Sequence, residues 1–271
     1  MRQAGPGDGV LAIDVGNLVT SVAVWRNDVP AVRAQFGTDA RRTGDELEIL
    51  LARFLADARV TPHALHGAVV GCVVPAQSGA VADASTRLVG RAPVIVGPGT
   101  RCGLTIRTAQ PHEVGADRIA NAVAARARCG APVLIVDLST ALSIDVVDAA
   151  GAYIGAVLAP GIDVSADVLA RRTAQLARVP LVAPPSAIGD STARALQAGL
   201  VLGQAAMIDG LVARLRQAIG AAPVIATGES SAAPAVVAAC GTIDAFDPLL
   251  TLDGLQRIYR SVIERPASPA R

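Results

Sequence analysis

Two segments of the chain end an apolar, β-type run in an aspartate. The first, LAIDVGN, places Asp14 before a Gly-Asn pair, and the second, VLIVDLST, places Asp137 before Ser139 and Thr140. Ligand-binding groups in α/β folds usually lie at the carboxyl ends of buried strands, where carboxylates and hydroxyls can hold cations and phosphates. Because Asp137 follows Asp14 by close to half of the chain length, we interpret the pair as an internal duplication, with one aspartate from each α/β half at a central cleft.

A third candidate group lies at the start of a predicted helix, in the sequence GADR. Asp117 and Arg118 fall in its first turn, and Gly130 ends it. An aspartate there can cap the helix and interact with its dipole. Alternatively, it can act as a general base while Arg118 holds an anionic or polar substrate. The residues alone leave both interpretations open, and the turn at Gly16 is likewise either a phosphate loop or a plain hairpin.

Composition excludes several classes of protein. The chain has no lysine, which excludes Walker-type GK[ST] loops, kinase phosphate lysines and Schiff-base chemistry. A net charge of +1 and 2% aromatic residues give no support for nucleic-acid binding. The four cysteines lack CxxC spacing, so we expect reduced, mostly buried thiols and no metal cluster. Without a long apolar run or a signal-peptide core, we expect no membrane span and a cytoplasmic protein.

Hydrophobic periodicity and turn residues predict alternating strands and helices, with a three-stranded meander after Asp137. We place a boundary between two tightly packed halves at residue 130, giving 1–130 and 131–271, and we expect a disordered tail at 266–271. The predicted strands are a hairpin over 10–25 that turns at Gly16, and 68–74, 93–96, 133–136, 143–147, 153–158 and 223–226. The predicted helices are 43–59, 81–88, 119–128, 163–176, 192–219 and 247–261.

The chain resembles the type III pantothenate kinases, relatives of the acetate kinase, sugar kinase and actin superfamily. The resemblance runs in order from about residue 10 to residue 260 and is carried by these segments: DVGN at 14–17, GADRIANAVAA at 115–125, VDLSTALSIDVVD at 136–148, LAPGI at 158–162, IGDSTARALQAGL at 188–200, ATG at 226–228 and DPLLTLDGL at 247–255. It implies an α/β fold of two duplicated ribonuclease-H-like halves (the actin-like ATPase fold) around a central cleft. It also implies ATP-dependent phosphorylation of the pantothenate hydroxyl, the first step of coenzyme A synthesis, by a homodimer.

The resemblance also implies roles for individual residues. Asp117 would be the base that accepts the proton of the acceptor hydroxyl. Asp14 would hold Mg²⁺ near the phosphates, and Asp137 would bind a monovalent cation, K⁺ or NH₄⁺. The acceptor site would comprise Gly115, Ala116, Asp117, Arg118 and Thr192, and the ATP site would comprise Asp14, Val15, Gly16, Asn17, Leu18, Val19, Thr20, Ser21, Thr140 and Gly228.

Several positions depart from the family pattern. Leu18 stands in place of a threonine, Ser139 in place of a glycine and Glu229 in place of a glycine, so all three nucleotide loops are changed. On the acceptor side, Thr108 and Gln110 replace the usual tyrosine and asparagine. A Cβ at residue 139 is expected to obstruct close approach to phosphate and to disfavour a positive φ. Three hypotheses follow: a pantothenate kinase, a kinase of the same mechanism for another small hydroxyl substrate, or a catalytically degenerate paralogue with a binding role.

Overall fold

The computed structural model describes residues 9–26, 28–173 and 176–264 of the chain. The protein divides into two compact units that are not contiguous in sequence. Unit 1 comprises residues 1–104, 109–124 and 250–271, and unit 2 comprises residues 105–108 and 125–249. The expected tail at 266–271 lies outside the described residues.

Unit 1 is built on a five-stranded sheet in the order β3-β2-β1-β4-β5. The first three strands form an antiparallel meander, and β4 and β5 run parallel to β1. Side chains alternate between the two faces of a strand. One face packs against α1 and α2, and the other receives α8, whose Leu255 and Tyr259 lie against Gly71 and Gly67 of β4. The elements are β1 Gly9–Val15, β2 Val19–Arg26, β3 Val29–Gly37, α1 Gly44–Asp57, β4 Leu65–Cys72, α2 Pro75–Val89, β5 Val94–Val96 and α8 Leu250–Glu264.

Unit 2 repeats this arrangement. Its sheet has the order β11-β10-β7-β8-β9-β6, with β7, β8 and β9 forming an antiparallel meander and β10 and β11 parallel to β7. The helix α3 begins in unit 1 and ends in unit 2. The elements are β6 Thr105–Ile106, α3 Ala116–Cys129, β7 Val133–Leu138, β8 Ala141–Val147, β9 Ala152–Pro160, α4 Ile162–Arg172, α5 Thr192–Gln197, a π turn Ala198–Leu202, α6 Gly203–Ile219, β10 Val224–Thr227, α7 Ala233–Ala239 and β11 Ala245–Phe246.

The shared strand order confirms the α/β fold and the internal duplication. In each unit a central strand, β1 or β7, begins an antiparallel meander on one side and has two parallel strands on the other, and unit 2 has one further strand, β6, beside β9. Asp14 is the penultimate residue of β1, and Asp137 is the penultimate residue of β7. Each aspartate pairs with a serine of the next strand, Ser21 and Ser143 respectively.

Several local predictions differ from the structure. Three strands (β3, β6 and β11) and the helix α7 were missed because they are short or, like β3, lie at a sheet edge and alternate between half-buried and exposed residues. The helix α2 begins at Pro75, six residues before the predicted start, since proline is accepted at the first helical position. The boundary at residue 130 stays a prediction; by its contacts, α8 belongs to unit 1.

Two further expectations concern the burial of the cysteine thiols and the lack of a membrane span. Cys102 is buried, Cys72 and Cys240 are partly buried and Cys129 is exposed, so the expectation of mostly buried thiols was wrong. Burial raises the pKa of the Cys240 thiol to about 12, which makes it a poor nucleophile. The helical stretch Thr192–Ile219 is long and apolar enough to cross a membrane by length and composition alone. That indication is weak, since core helices pass the same test, and this stretch contributes Val201, Ile208 and Val212 to the core of unit 2.

Candidate active site

Asp14 lies at the carboxyl end of the central strand of unit 1. It is 6% exposed and sits between Ser21 of β2 and Gly71 of β4. A Cβ built on Gly71 would lie 3.5 Å from Asp14 Oδ1 and 3.1 Å from the Leu255 side chain. Glycine therefore leaves space beside the carboxylate, and this position was missed by the sequence analysis.

The turn after Asp14 is tied together by its own backbone. The Gly16 N–H donates to Val19 O (3.0 Å), and the Thr38 N–H donates to Leu18 O (2.9 Å). The Leu18 side chain is 56% exposed. The Thr20 hydroxyl hydrogen-bonds to the Thr38 hydroxyl at 2.8 Å. The turn thus has a fixed backbone and an apolar tip.

The Thr20 hydroxyl is accordingly engaged within the sheet of unit 1. The Ser21 hydroxyl accepts a bond from Gln35 Nε2 at 3.1 Å. Both residues are buried, whereas the neighbouring Asn17 is exposed. Of the polar side chains in the predicted phosphate loop, Asn17 is the one on the surface.

Asp117 lies in the first turn of α3, as predicted, and it is half-buried. Its Oδ1 accepts the N–H of Arg118 at 2.8 Å. A Cβ on Gly115 would collide with the same oxygen and lie 3.5 Å from Val73, whose N–H donates to Val15 O at 3.0 Å. The start of α3 therefore lies beside the carboxyl ends of β1 and β4, so unit 1 brings Asp14 and Asp117 to one edge.

The position of α3 depends on residues of α8 that the sequence analysis did not identify as part of a site. A Cβ on Gly254 would collide with the backbone of Ala120, so the two helices cross at close range. The Thr251 hydroxyl hydrogen-bonds to Asn121 Oδ1 at 2.8 Å, and Asn121 is fully buried. A glycine inside a helix is unfavourable by about 1 kcal/mol relative to alanine, so Gly254 in the segment LTLDGL was the available signal of close packing.

Asp137 occupies the equivalent place in unit 2. It is 7% exposed and lies between Ser143 of β8 and Thr227 of β10. The Ser139 hydroxyl donates to Asp137 Oδ1 at 2.5 Å. Ser139 has a negative φ, since Asp28 and Arg59 are the positive-φ non-glycine residues of the described chain. The turn therefore does not need the positive φ that a Cβ would disfavour, and the expected obstruction of phosphate by this Cβ stays a prediction.

The backbones of Gly161 and Gly228 pack against the turn that follows Asp137. A Cβ on Gly161 would collide with the carbonyl oxygens of Ser139 and Thr140, and the Gly161 N–H donates to Thr140 O at 3.2 Å. A Cβ on Gly228, whose φ is +137°, would collide with the Leu138 carbonyl. Unit 2 therefore brings Asp137, Thr140 and Gly228 together, and their binding of a nucleotide and a cation stays a prediction.

Thr192 is the first residue of α5 and is exposed. The preceding residue, Ser191, caps the helix by accepting the Arg194 N–H at 3.3 Å. The sequence analysis placed Thr192 correctly at a helix start but missed the capping serine. Thr192 thus presents its hydroxyl from a fixed helix terminus of unit 2.

The donor groups fit the expected cations. Within residues 9–26, 28–173 and 176–264, no three His, Cys, Asp or Glu side chains cluster as a metal cage would. Mg²⁺ in phosphate-handling sites is commonly held by one or two carboxylates together with substrate phosphates, which suits the single buried carboxylate of Asp14. Asp137 is followed by a turn in which the Leu138 and Thr140 carbonyls accept the N–H groups of Ser230 and Gly161, so its carboxylate is the group that suits a hard cation there.

Comparison with known proteins points to one family. The family model for type III pantothenate kinase matches residues 10–214. A relative from Acidothermus cellulolyticus, named type III pantothenate kinase, is 44% identical over 92% of this chain and 97% of its own length. A relative of the same name from Frankia alni is 43% identical over 94% of this chain and 100% of its own length.

Solved structures support the fold. The chain is similar to a putative 2-dehydro-3-deoxygalactonokinase from Sinorhizobium meliloti, with a TM-score of 0.58 and 14% identity over 96% of this chain and 99% of that one. It is also similar to the ethanolamine utilization protein EutJ from Carboxydothermus hydrogenoformans, with a TM-score of 0.54 and 15% identity over 94% and 90% of the two chains. At such identities, the similarity concerns the actin-like fold alone.

Proposed function

The chain belongs to the type III pantothenate kinase family, and we propose that it transfers the γ-phosphoryl group of ATP to the hydroxyl of pantothenate. The observation that carries this proposal is the placement of Asp117. The GADR motif begins α3, and in unit 1 that helix terminus lies beside the strand ends that carry Asp14. A base and a cation-holding carboxylate at one edge are what phosphoryl transfer to a hydroxyl requires.

In this proposal, Asp117 accepts the proton of the acceptor hydroxyl. Its Oδ1 is held by the Arg118 N–H, and a Cβ on Gly115 would force the Asp117 carboxylate away from this position. In a loose transition state the hydroxyl loses its proton late, so the orientation of the carboxylate matters more than its basicity. Gly115, Ala116 and Arg118 line the acceptor site, where the guanidinium suits a carboxylate such as that of pantothenate. Thr192 supplies a further hydroxyl.

The proposal assigns nucleotide and cation roles to the strand ends of each unit. Asp14 and the 15–21 turn serve the phosphates in unit 1, and Thr140 and Gly228 serve the nucleotide in unit 2. Asp14 would hold Mg²⁺ and Asp137 a monovalent cation, K⁺ or NH₄⁺; bound there, the cations would supply the positive charge that a chain without lysine cannot offer from ammonium groups. Ser139 has a negative φ, which a residue with a Cβ adopts without strain, and this supports a functional nucleotide loop.

A homodimer and a cytoplasmic location complete the proposal. Unit 2 exposes large apolar side chains, among them Val168, Val182 and Ile188, of which Ile188 is 84% exposed. Gly199 and Gly203 have no neighbouring atom within 4 Å of a built Cβ, which leaves room for another helix.

Light scattering of the purified protein is expected to give twice the mass of the chain, and a monomer at micromolar concentration would contradict the dimer.

The activity is tested by incubating the protein with ATP, Mg²⁺, K⁺ and pantothenate and measuring phosphopantothenate by mass spectrometry. We expect product from the wild-type protein and a loss of about 100-fold or more in Asp117→Asn, the range typical of a removed general base. Asp57→Asn is the matched control, because Asp57 is an exposed partner of Arg53 in the same unit. Lack of product from wild-type protein that binds ATP would overturn pantothenate as the acceptor, and lack of ATP binding would overturn the kinase.

A further inference from the structure

Ser139 makes a contact that a glycine could not make. Its hydroxyl donates to Asp137 Oδ1 at 2.5 Å, in the range of hydrogen bonds to charged oxygen. The same Oγ accepts the N–H of Glu229 at 3.4 Å, a long bond that fills a second position on the hydroxyl. One side chain thus bridges the carboxylate at the end of β7 and the turn after β10.

The backbone around Ser139 holds this bridge in place. The Ser230 N–H donates to Leu138 O at 3.1 Å, and the Gly228 backbone packs so closely on Leu138 that a Cβ there would collide. On the other side, the Gly161 backbone packs against the Ser139 and Thr140 carbonyls. The hydroxyl is therefore presented to Asp137 from a turn that is fixed on two sides.

We propose that Ser139 is a positioning residue that orients the Asp137 carboxylate and competes with a monovalent cation for its charge. The inference rests on the proposed function and deepens it, because it concerns how strongly this kinase site requires K⁺. A donated hydrogen bond withdraws charge density from the carboxylate, so a cation at the same group is held less tightly. The same bond orders the carboxylate before a cation arrives, so the site depends less on the cation for its geometry.

The test uses Ser139→Ala and Ser139→Gly in the full chain. The alanine variant removes the hydroxyl but keeps the Cβ, which a negative φ accommodates, and the glycine variant restores the residue typical of the family. Ser139→Thr keeps the hydroxyl and is expected to behave as the wild type. The matched control is Ser165→Ala, which removes a serine hydroxyl of the same unit that donates to Gly161 O at 3.0 Å.

The first readout is thermal unfolding titrated with KCl at constant ionic strength, without ATP or pantothenate. We expect the half-saturating K⁺ concentration to be about tenfold or more lower in the alanine and glycine variants, the size expected for removing one charge-assisted hydrogen bond. The second readout is the ratio of kcat with and without K⁺, which should rise in both variants and stay unchanged in Ser139→Thr and Ser165→Ala.

Three results would overturn the proposal. An unchanged half-saturating K⁺ concentration in the alanine variant would show that the hydroxyl does not compete. A higher concentration would show that the hydroxyl helps the cation to bind, as a ligand or by ordering the carboxylate, and does not compete with it. If K⁺ does not change the unfolding temperature of that variant, the cation does not bind at Asp137. Because the titration needs no phosphoryl transfer, it remains readable if the wild-type protein forms no product, which would instead contradict the proposed function.

Discussion

At the scale of single residues, the surroundings of the two aspartates depend on glycines that pack closely beside them. The backbones of Gly161 and Gly228 pack on the turn after Asp137 at distances that a Cβ would prevent, and Gly71 leaves room for the side chains of Asp14 and Leu255. Gly228 also has a φ of +137°, which L-residues adopt only under strain. The turn after Asp137 is therefore held by backbone packing at two glycines, and the space beside Asp14 depends on a third.

We predict that Gly228→Ala destabilises the protein by about 2 kcal/mol or more, because strain in φ and a collision with the Leu138 carbonyl add together. The measurement is urea unfolding followed by circular dichroism. Gly210→Ala is the control, since a Cβ there meets nothing within 4 Å and alanine favours the α6 helix by up to about 1 kcal/mol. Equal stability of the two variants would refute the close packing at Gly228.

At the scale of elements, the helix α1 begins with a reciprocal cap. The Glu46 N–H donates to Thr43 Oγ1 at 3.3 Å, and the Thr43 N–H donates to Glu46 Oε2 at 2.7 Å. The backbone bond from Thr43 and then its side-chain bond lower the pKa of Glu46 below its ordinary value. A lowered folded-state pKa means that the carboxylate stabilises the folded state above its unfolded-state pKa and loses this contribution as pH falls through the folded-state pKa.

Thr43→Ala is expected to reduce the free energy of unfolding by about 1 kcal/mol at pH 7, since an N-cap hydroxyl is lost. The difference from wild type should shrink as the pH falls through the lowered pKa of Glu46, because the protonated side chain no longer serves the cap as an anion. Urea titrations at pH 7 and near pH 3 measure both effects. Thr86→Ala, whose hydroxyl donates within α2, is the control, and a difference that stays constant with pH would contradict the role of Glu46.

At the scale of the whole molecule, unit 1 is completed by α8, the last helix among the described residues. The side chains of Leu255 and Tyr259 occupy the space above Gly71 and Gly67 on one face of the unit 1 sheet, and Gly254 packs on Ala120 of α3. Both ends of the described chain therefore belong to one unit, and the start of α3 depends on residues from the far end of the sequence.

We predict that a chain ending at residue 249 loses the cooperative unfolding of unit 1, because one face of its sheet would be exposed to water. Limited proteolysis should cut the truncated protein within residues 9–104 faster than the full chain. A chain ending at residue 264 keeps α8 and serves as the control. Equal protection of the two proteins would show that unit 1 folds without α8.

The sequence by itself determined the α/β class, the meander after Asp137, the helix start at Asp117 and the duplication. Each of these rests on local chemistry: apolar runs that end in a carboxylate, turn glycines and the period of a helix. The resemblance to the kinase family was equally readable, because the motifs occur in order along the chain.

The tertiary structure alone decided how those groups are held. It placed α8 in unit 1, closed the helix crossing at Gly254, gave Ser139 a negative φ and directed its hydroxyl to Asp137. Such features depend on contacts between residues far apart in the chain or on the backbone angle at one turn. Residue type gave a signal at Gly254 but did not identify Ala120 as the residue on which it packs. The edge strand β3 was missed for a related reason, since its strand character comes from pairing with β2 and not from a buried apolar face.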